Sequence, residues 1–469
     1  MSLRSHTRAA RRADPATVVV ADAAAESDPA WLLFRGIKSL LRCDEAEVVE
    51  GIARYVISQH SSLRIGAALM ERARNTPLPA ATALLGGLLR FLEVRAPERT
   101  EGAVWIARLS NERRALETFP PLLPEPGWTE LKFRRRPDAA SLSALARALR
   151  AGFGQTRRIF GIARRLHRRR DFFKALRVVE LLGYYARYLD IFRRTPLRLA
   201  LMSSHSNPHG IAFNLAARRC GVPVVLITHG MPVRPVAPLS YDLAVVHCEA
   251  ARRIYLEAGC RMDRVLVHGR RQAHAPMPAR TLPARLTVGV FLCKDVNETV
   301  LRALVESLLG EARVSRVLIR PHPKNLWVGL DEWIAARNEP RLRRNAGDTV
   351  ARDLEAADIV LAGNSSVLVD AVTAGRPSGY VPGIDYGSPD LHEFVARGLI
   401  YPVGEFGFDP DAMLNFYQRP EWPTALRLFA NIDEDETSVA AQAAVAMREL
   451  VTLHTHNRAV ASTSRAGNP

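Results

Sequence analysis

Two histidines stand where an apolar run stops. In VVLITHG the run ends on His229 and Gly230; in VLIRPHPKN it ends on Arg320, His322 and Lys324, with Pro321 and Pro323 on either side of the histidine. Imidazole titrates near neutrality, so either ring can take a proton from an acceptor hydroxyl at physiological pH. Each proline restricts the residue before it to extended backbone, which holds Arg320 and His322 rigidly off the end of the run. A fixed imidazole beside two cations suits an anionic substrate. Gly230 leaves room for close approach of a backbone or a ligand. Taken alone, each histidine also reads as a satisfied, partly buried side chain among the 13 in the chain.

The stretch ADIVLAGNSSVLVDAVTAGRP, from Ala357 to Pro377, adds a second kind of chemistry. Its short apolar strand breaks at Gly363-Asn364-Ser365-Ser366 and restarts as a helix through Val367, Leu368, Ala371 and Val372. A strand-to-helix turn of small hydroxyl and amide residues exposes unsatisfied N–H groups at the positive end of the helix, a natural seat for phosphate. The serines read equally well as helix caps. Asp370, one turn in, either meets a ligand hydroxyl or lies on a solvated helix face.

These residues need elements to hold them. After Pro196, short apolar runs alternate with helical stretches, the pattern of a parallel sheet covered by helices. Strands are predicted at 197–204, 222–229, 242–247 and 264–269, with a helix from Pro208 to Cys220 closed by Gly221. A second series follows at 286–292, 316–320, 357–362 and 377–381, with the helix NETVLRALVESLLG after its first strand. In open α/β sheets ligands bind beyond the carboxyl ends of the strands, where both histidines and the serine turn stand. The predicted order is a disordered basic tail (1–28), a mainly helical region (29–195), a first Rossmann-like half (196–270), a proline-studded linker (271–284), a second Rossmann-like half (285–455) and a disordered tail (456–469). The last apolar-periodic segment, Thr437 to Leu453, is expected to be a closing helix. The first sheet is short on this reading, and its further strands are to be sought within the region read as helical.

The chain has 469 residues, 48% of them hydrophobic and 24% charged, room for about three units at roughly 150 residues each. No apolar run reaches the ~18 residues of a membrane span, and the N-terminus lacks the continuous apolar segment of a signal peptide, so a cytoplasmic location is expected. Five scattered cysteines without a CxxC pair fit a reducing compartment and favour neither zinc nor disulfides. A net charge of +17 draws the chain to polyanions or anionic lipid. TRRIFGIARRLHRRR, at 156–170, is a basic amphipathic helix that either makes peripheral contact with an anionic membrane or polymer or presents a solvated arginine face. Nucleic acid is set aside, because charge stands without aromatic platforms or a reader motif. Neither GxxxxGK[ST] nor GxGxxG after a strand is present, which removes the P-loop and the dinucleotide fold.

The order THG, RPHPK, then ADIVLAGNSSVLVDA followed by AGRP resembles the GT-B transferases of bacterial surface polymers, the CDP-glycerol glycerophosphotransferases and related capsule glycosyltransferases, over roughly Ser203 to Val403. The fold class this implies is α/β, a GT-B-like pair of Rossmann-like domains with an N-terminal mainly helical region. The resemblance makes the first half the acceptor side and the second the nucleotide-donor side. It implies His229 and His322 as the catalytic pair and Ser365 and Ser366, with Asn364, Arg320 and Lys324, as donor-phosphate ligands. Asp370 matches an acidic position able to meet a donor hydroxyl, while Gly230, Pro321 and Pro323 give structural support. The expected activity is transfer of a glycosyl or polyol-phosphate group from a nucleotide-activated, cytidine-type donor to a polysaccharide or lipid-linked acceptor. His229 serves as general base, without metal or cofactor. Two other readings stay open: a nucleotide-sugar epimerase of the same architecture, which would need additional carboxylates in the cleft, and a non-catalytic polyanion-binding or assembly protein.

Overall fold

The computed structural model of the chain describes Arg35 and residues 86–87, 89–95, 102–117, 128–133, 172–232, 236–267, 281–323, 327, 329–345, 347, 349–386, 389–430 and 436–466. The basic segment 156–170, Lys324 and most of the linker 271–284 lie outside them. The described residues fall into two compact units: residues 1–101, 129–196 and 206–221, and residues 102–128, 197–205 and 222–469.

In the first unit, the helix Phe172–Arg194 packs on the helix Pro208–Arg219. Their contact is an aromatic cluster in which Tyr188 meets Phe213 edge to face at 5.3 Å and Tyr184 meets His209 at 6.1 Å. Arg187 donates through Nε to the Val94 carbonyl at 3.1 Å, which ties the long helix to the segment before it.

The second unit holds five strands of a first large sheet, all six of a second and a two-stranded pair. Five strands of the first are parallel and adjacent in chain order: β1 (Gly102–Ile106), β2 (Leu197–Met202), β3 (Val224–Ile227), β4 (Leu243–Val246) and β5 (Val265–Val267). Strand β1 is the strand to be sought in the region read as helical. It is buried and pairs Ile106 with Met202. A run of only five residues, GAVWI, cannot be told from a helix segment by periodicity.

The second sheet comprises β6 (Leu286–Phe291), β7 (Val314–Arg320), β8 (Leu342–Arg344), β9 (Ile359–Ala362), β10 (Ser378–Tyr380) and β11 (Tyr401–Pro402). All are parallel, in spatial order β8-β7-β6-β9-β10-β11. Numbered within this half, that is 3-2-1-4-5-6, the doubly wound order whose switch point lies between its first and fourth strands. The expected fold class, α/β with a GT-B-like pair of Rossmann-like sheets, is therefore the observed one.

Eight helices bear on the argument: α1 (Ser110–Glu117), α2 (Glu249–Glu257), α3 (Glu298–Gly310), α4 (Leu330–Arg337), α5 (Val350–Glu355), α6 (Val367–Thr373), α7 (Trp422–Phe429) and α8 (Glu436–Ala466). The closing helix α8 differs from its sequence reading in two ways. It continues helical past His456 to Ala466, into the residues read as a tail. It also packs on the first sheet, although chain order grouped it with the second half. Ala440, Ala443, Ala444 and Met447 share a core with Leu199, Leu201, Val225, Ile227, Leu243 and Val245. An alanine face lets the helix approach the sheet closely, and burying those apolar strands is worth about 25 cal/mol per Å² of covered surface. Among the described residues, no helix is long and apolar enough to cross a membrane.

Candidate functional site

The carboxyl edge of the first sheet carries a polar cluster that only part of the sequence reading anticipates. Met202 pairs with Leu226, so Ser203 and His229 emerge from neighbouring strands. The Ser203 hydroxyl lies 2.8 Å from His229 Nδ1. With Nδ1 engaged, Nε2 is the nitrogen left to meet a substrate. Two residues on, Met231 packs against the core of the second sheet, so the loop carrying His229 runs at the boundary of the two halves. Among the described residues, nothing lies within 4 Å of where a Cβ on Gly230 would stand.

Around His229 lie groups that no motif in the chain marks. His205 is buried, its Nδ1 is 2.8 Å from the Tyr255 hydroxyl of α2, and its Nε2 has no hydrogen-bond partner among the described residues. Glu112, on α1, is fully buried and accepts from the backbone N–H groups of Arg108 at 2.7 Å and Leu109 at 3.1 Å. Because α1 follows β1, this carboxylate is delivered to the same edge by the strand hidden in the helical region. Burial lowers the pKa of His229, while the Glu112 charge and a bond to the Ser203 backbone act in the opposite direction. His205 is driven down to about 3 by burial first and by His229 second, with Glu112 opposing, and so stays neutral.

That depression gives a measurable pH dependence. Below pH 6.5 the unfolded chain takes up a proton at residue 205 that the folded chain refuses until about pH 3. Stability therefore falls with pH across that window, by about 1.4 kcal/mol per unit from this group. Urea midpoints measured from pH 7 to 4 should show a shallower slope in His205→Gln than in the wild type. Parallel slopes would count against a neutral buried imidazole.

The second sheet offers the other predicted residues along one edge. Phe291 of β6 pairs with both Arg320 and Ala362, so the residues after β7 and β9 flank the tip of β6. At ~4.8 Å per strand, the tips carrying His322 and the serine turn are about 10 Å apart. His322 and Pro323 are exposed and Pro321 is half-buried. Lys294 is an exposed cation just past β6, at the switch point itself, and motif reading overlooked it because no proline or glycine marks it.

The serine turn is built from behind by Asp385. This buried carboxylate accepts from the Asn364 N–H at 2.7 Å and from its side-chain amide at 2.9 Å, while Asn364 Oδ1 accepts from the Leu391 N–H at 2.7 Å. Asn364, expected as a phosphate ligand, has both ends of its amide in this scaffold. A Cβ at Gly363 would stand 2.0 Å from Asp385 Oδ2, so glycine is needed for the carboxylate to close on the turn. Ser365 Oγ accepts from the Val367 N–H at 3.3 Å, while Ser366 occupies the helix cap position with no cap bond from its hydroxyl. Ser365, Ser366 and Asp370 are all half-buried.

Arg320, also expected at the phosphates, is held elsewhere. It pairs with Asp353 of α5, a carboxylate only 2% exposed, and donates to the Gly347 carbonyl at 3.1 Å. Partial burial lowers its pKa. Of the residues predicted for this half, the strand edge therefore gathers His322, Ser365 and Ser366, while Asn364 and Arg320 brace the loops that carry them. Among the described residues, no group of three or more His, Cys, Asp or Glu is placed to hold a metal ion.

No family model matches this chain, and no curated protein does. Solved structures of similar architecture include UDP-GlcNAc 2-epimerase from Neisseria meningitidis bound to UDP-GlcNAc, at 14% identity and a TM-score of 0.42, covering 74% of this chain and 98% of that one. S. aureus MnaA with UDP is similar at 12% identity and 0.41, over 73% and 94%. The wall teichoic acid polymerase TagF aligns at 11% identity and 0.37, over 88% and 99%.

Proposed function

We propose that the protein is a transferase that moves a glycosyl or polyol-phosphate group from a nucleotide-activated donor to a hydroxyl of a saccharide or lipid-linked acceptor. The observation that carries this reading is His229, fixed through Nδ1 by Ser203 at a strand tip, with the charge of the buried Glu112 acting on it. In this scheme His229 Nε2 takes the acceptor hydroxyl proton. The freed oxygen forms a bond to the donor's reacting carbon or phosphorus as the bond to the nucleotide phosphate breaks. His322, Lys294 and the Ser365–Ser366 turn meet the charge that collects on the departing nucleotide. Asp370 is retained as a partner for a donor hydroxyl, and Lys324 as a further cation.

Acceptor-dependent release of free nucleotide, assayed over CMP-, CDP- and UDP-activated donors, tests the reaction class. Release that never depends on an acceptor would sink it. Glu112→Gln tests the electrostatic influence of Glu112 on His229. A base acts unprotonated, so loss of the charge that opposes burial should move the acid limb of the kcat/KM profile to lower pH and reduce the plateau rate. A limb that stays in place would separate Glu112 from His229.

One observation favours a second reading, the nucleotide-sugar epimerase. Glu112 is a buried carboxylate whose charge acts on the His229 imidazole, and proton removal at a sugar carbon calls for such a carboxylate in the site. Solvent deuterium appearing in recovered donor without an acceptor would select the epimerase.

A further inference from the structure

We propose that Arg302, Trp327 and Trp333 form a recognition site for the carboxylate or phosphate groups of an anionic saccharide polymer, the acceptor of the transferase reading above, on which this inference rests. The guanidinium carbon of Arg302 lies 5.3 Å from the centroid of the Trp327 ring and 5.0 Å from that of Trp333. The two indoles are 5.5 Å apart and tilted by 34°. Both are partly buried against the core of the second sheet, so their positions are set by packing beneath them.

A guanidinium lying on aromatic faces has lost much of its freedom before any ligand arrives, and stacking of that kind leaves the in-plane N–H groups able to pair with a planar anion. Its acidic neighbour, Glu298, is 3.7 Å away, and the two side chains are 45% and 48% exposed. A pair of that kind holds weakly in water and yields to a better anion. The parts of the indoles that the core leaves open offer apolar surface on which the C–H face of a sugar ring can rest.

The site lies on the reactive side of the sheet. Helix α3 begins at Glu298, just beyond the tip of β6, and Arg302 is about 6 Å along it at 1.5 Å per residue. Trp327 belongs to the segment that joins His322 to α4. A chain of charge +17 supplies the long-range attraction that gathers a polyanion, while this trio supplies a defined point of contact.

Fluorine NMR of the full chain labelled with 5-fluorotryptophan tests the site, the resonances being assigned with Trp327→Phe and Trp333→Phe. The probes are a sialic acid oligomer (carboxylate), a glycerol phosphate oligomer (phosphodiester) and neutral dextran. Either anionic oligomer should shift the Trp327 and Trp333 signals, and the one that does names the anion. Arg302→Gln should weaken that binding about tenfold or more, with Arg302→Lys short of full recovery because the fork is lost. Shifts caused equally by dextran, no shift with either anion, or unchanged affinity in Arg302→Gln would overturn the proposal. Nucleotide release separates the two readings. Retained turnover with unchanged acceptor KM in Arg302→Gln removes this site and leaves the transferase standing. Arg302-dependent fluorine shifts without turnover on any donor keep the site and remove the transferase.

Discussion

His229→Ala should lower acceptor-dependent nucleotide release by about 10²- to 10⁴-fold, the span of a positioned general base. Nucleotide binding should be unchanged, because the residues assigned to the donor belong to the other sheet. The expectation rests on geometry: Ser203 at 2.8 Å holds one ring nitrogen, so the other meets the acceptor in a fixed orientation. It also rests on charge state. Burial holds the His229 pKa below its ordinary value, so the unprotonated base is already dominant at neutral pH. Steady-state kinetics gives the rate, and saturation-transfer NMR against CMP, CDP, UMP and UDP gives the binding. A loss of less than about tenfold would exclude general-base catalysis by this residue. Loss of nucleotide binding in the variant would instead make His229 part of the donor site.

The second large effect concerns stability. Asp353→Ala should destabilise the second half by about 3–5 kcal/mol, because it leaves the guanidinium of Arg320 desolvated without its counter-charge. The side chains are 2% and 16% exposed, and the arginine sits on the last residue of β7. In a domain of 150–250 residues the melting midpoint should fall by roughly 6–20 °C. Replacing both partners together with Leu and Met should cost far less, since an apolar pair carries no desolvation penalty. If the single and double variants melt together, the pair contributes little and Arg320 is available for the donor phosphates.

These two residues illustrate how differently fold and site were written in the chain. Strands β2 to β7, β9 and β10 were legible because each is a short run of strand-forming residues between turn-forming ones, and such runs declare themselves locally. His229, His322 and the serine turn were legible for the same reason, as polar residues at the ends of those runs. Strand β1 was not, since GAVWI lies among helical neighbours and becomes a strand by pairing with Leu197–Met202. Missing it also meant missing Glu112, which the strand delivers to His229.

The amino-acid sequence by itself thus determined the alternation of elements, the fold class and the residue types at the strand tips, all consequences of backbone propensity and hydrophobic period acting over a few residues. Tertiary structure alone decided how those residues are used. Asn364 and Arg320 have the chemistry of phosphate ligands, yet Asp385, 21 residues from the first, and Asp353, 33 residues from the second, hold them as braces. Glu112 reaches the His229 cluster from more than a hundred residues away, and Arg302 lies on indoles contributed by two other segments. A side chain's partner is whichever group the packed sheets bring within about 3 Å, and no local pattern encodes that distance.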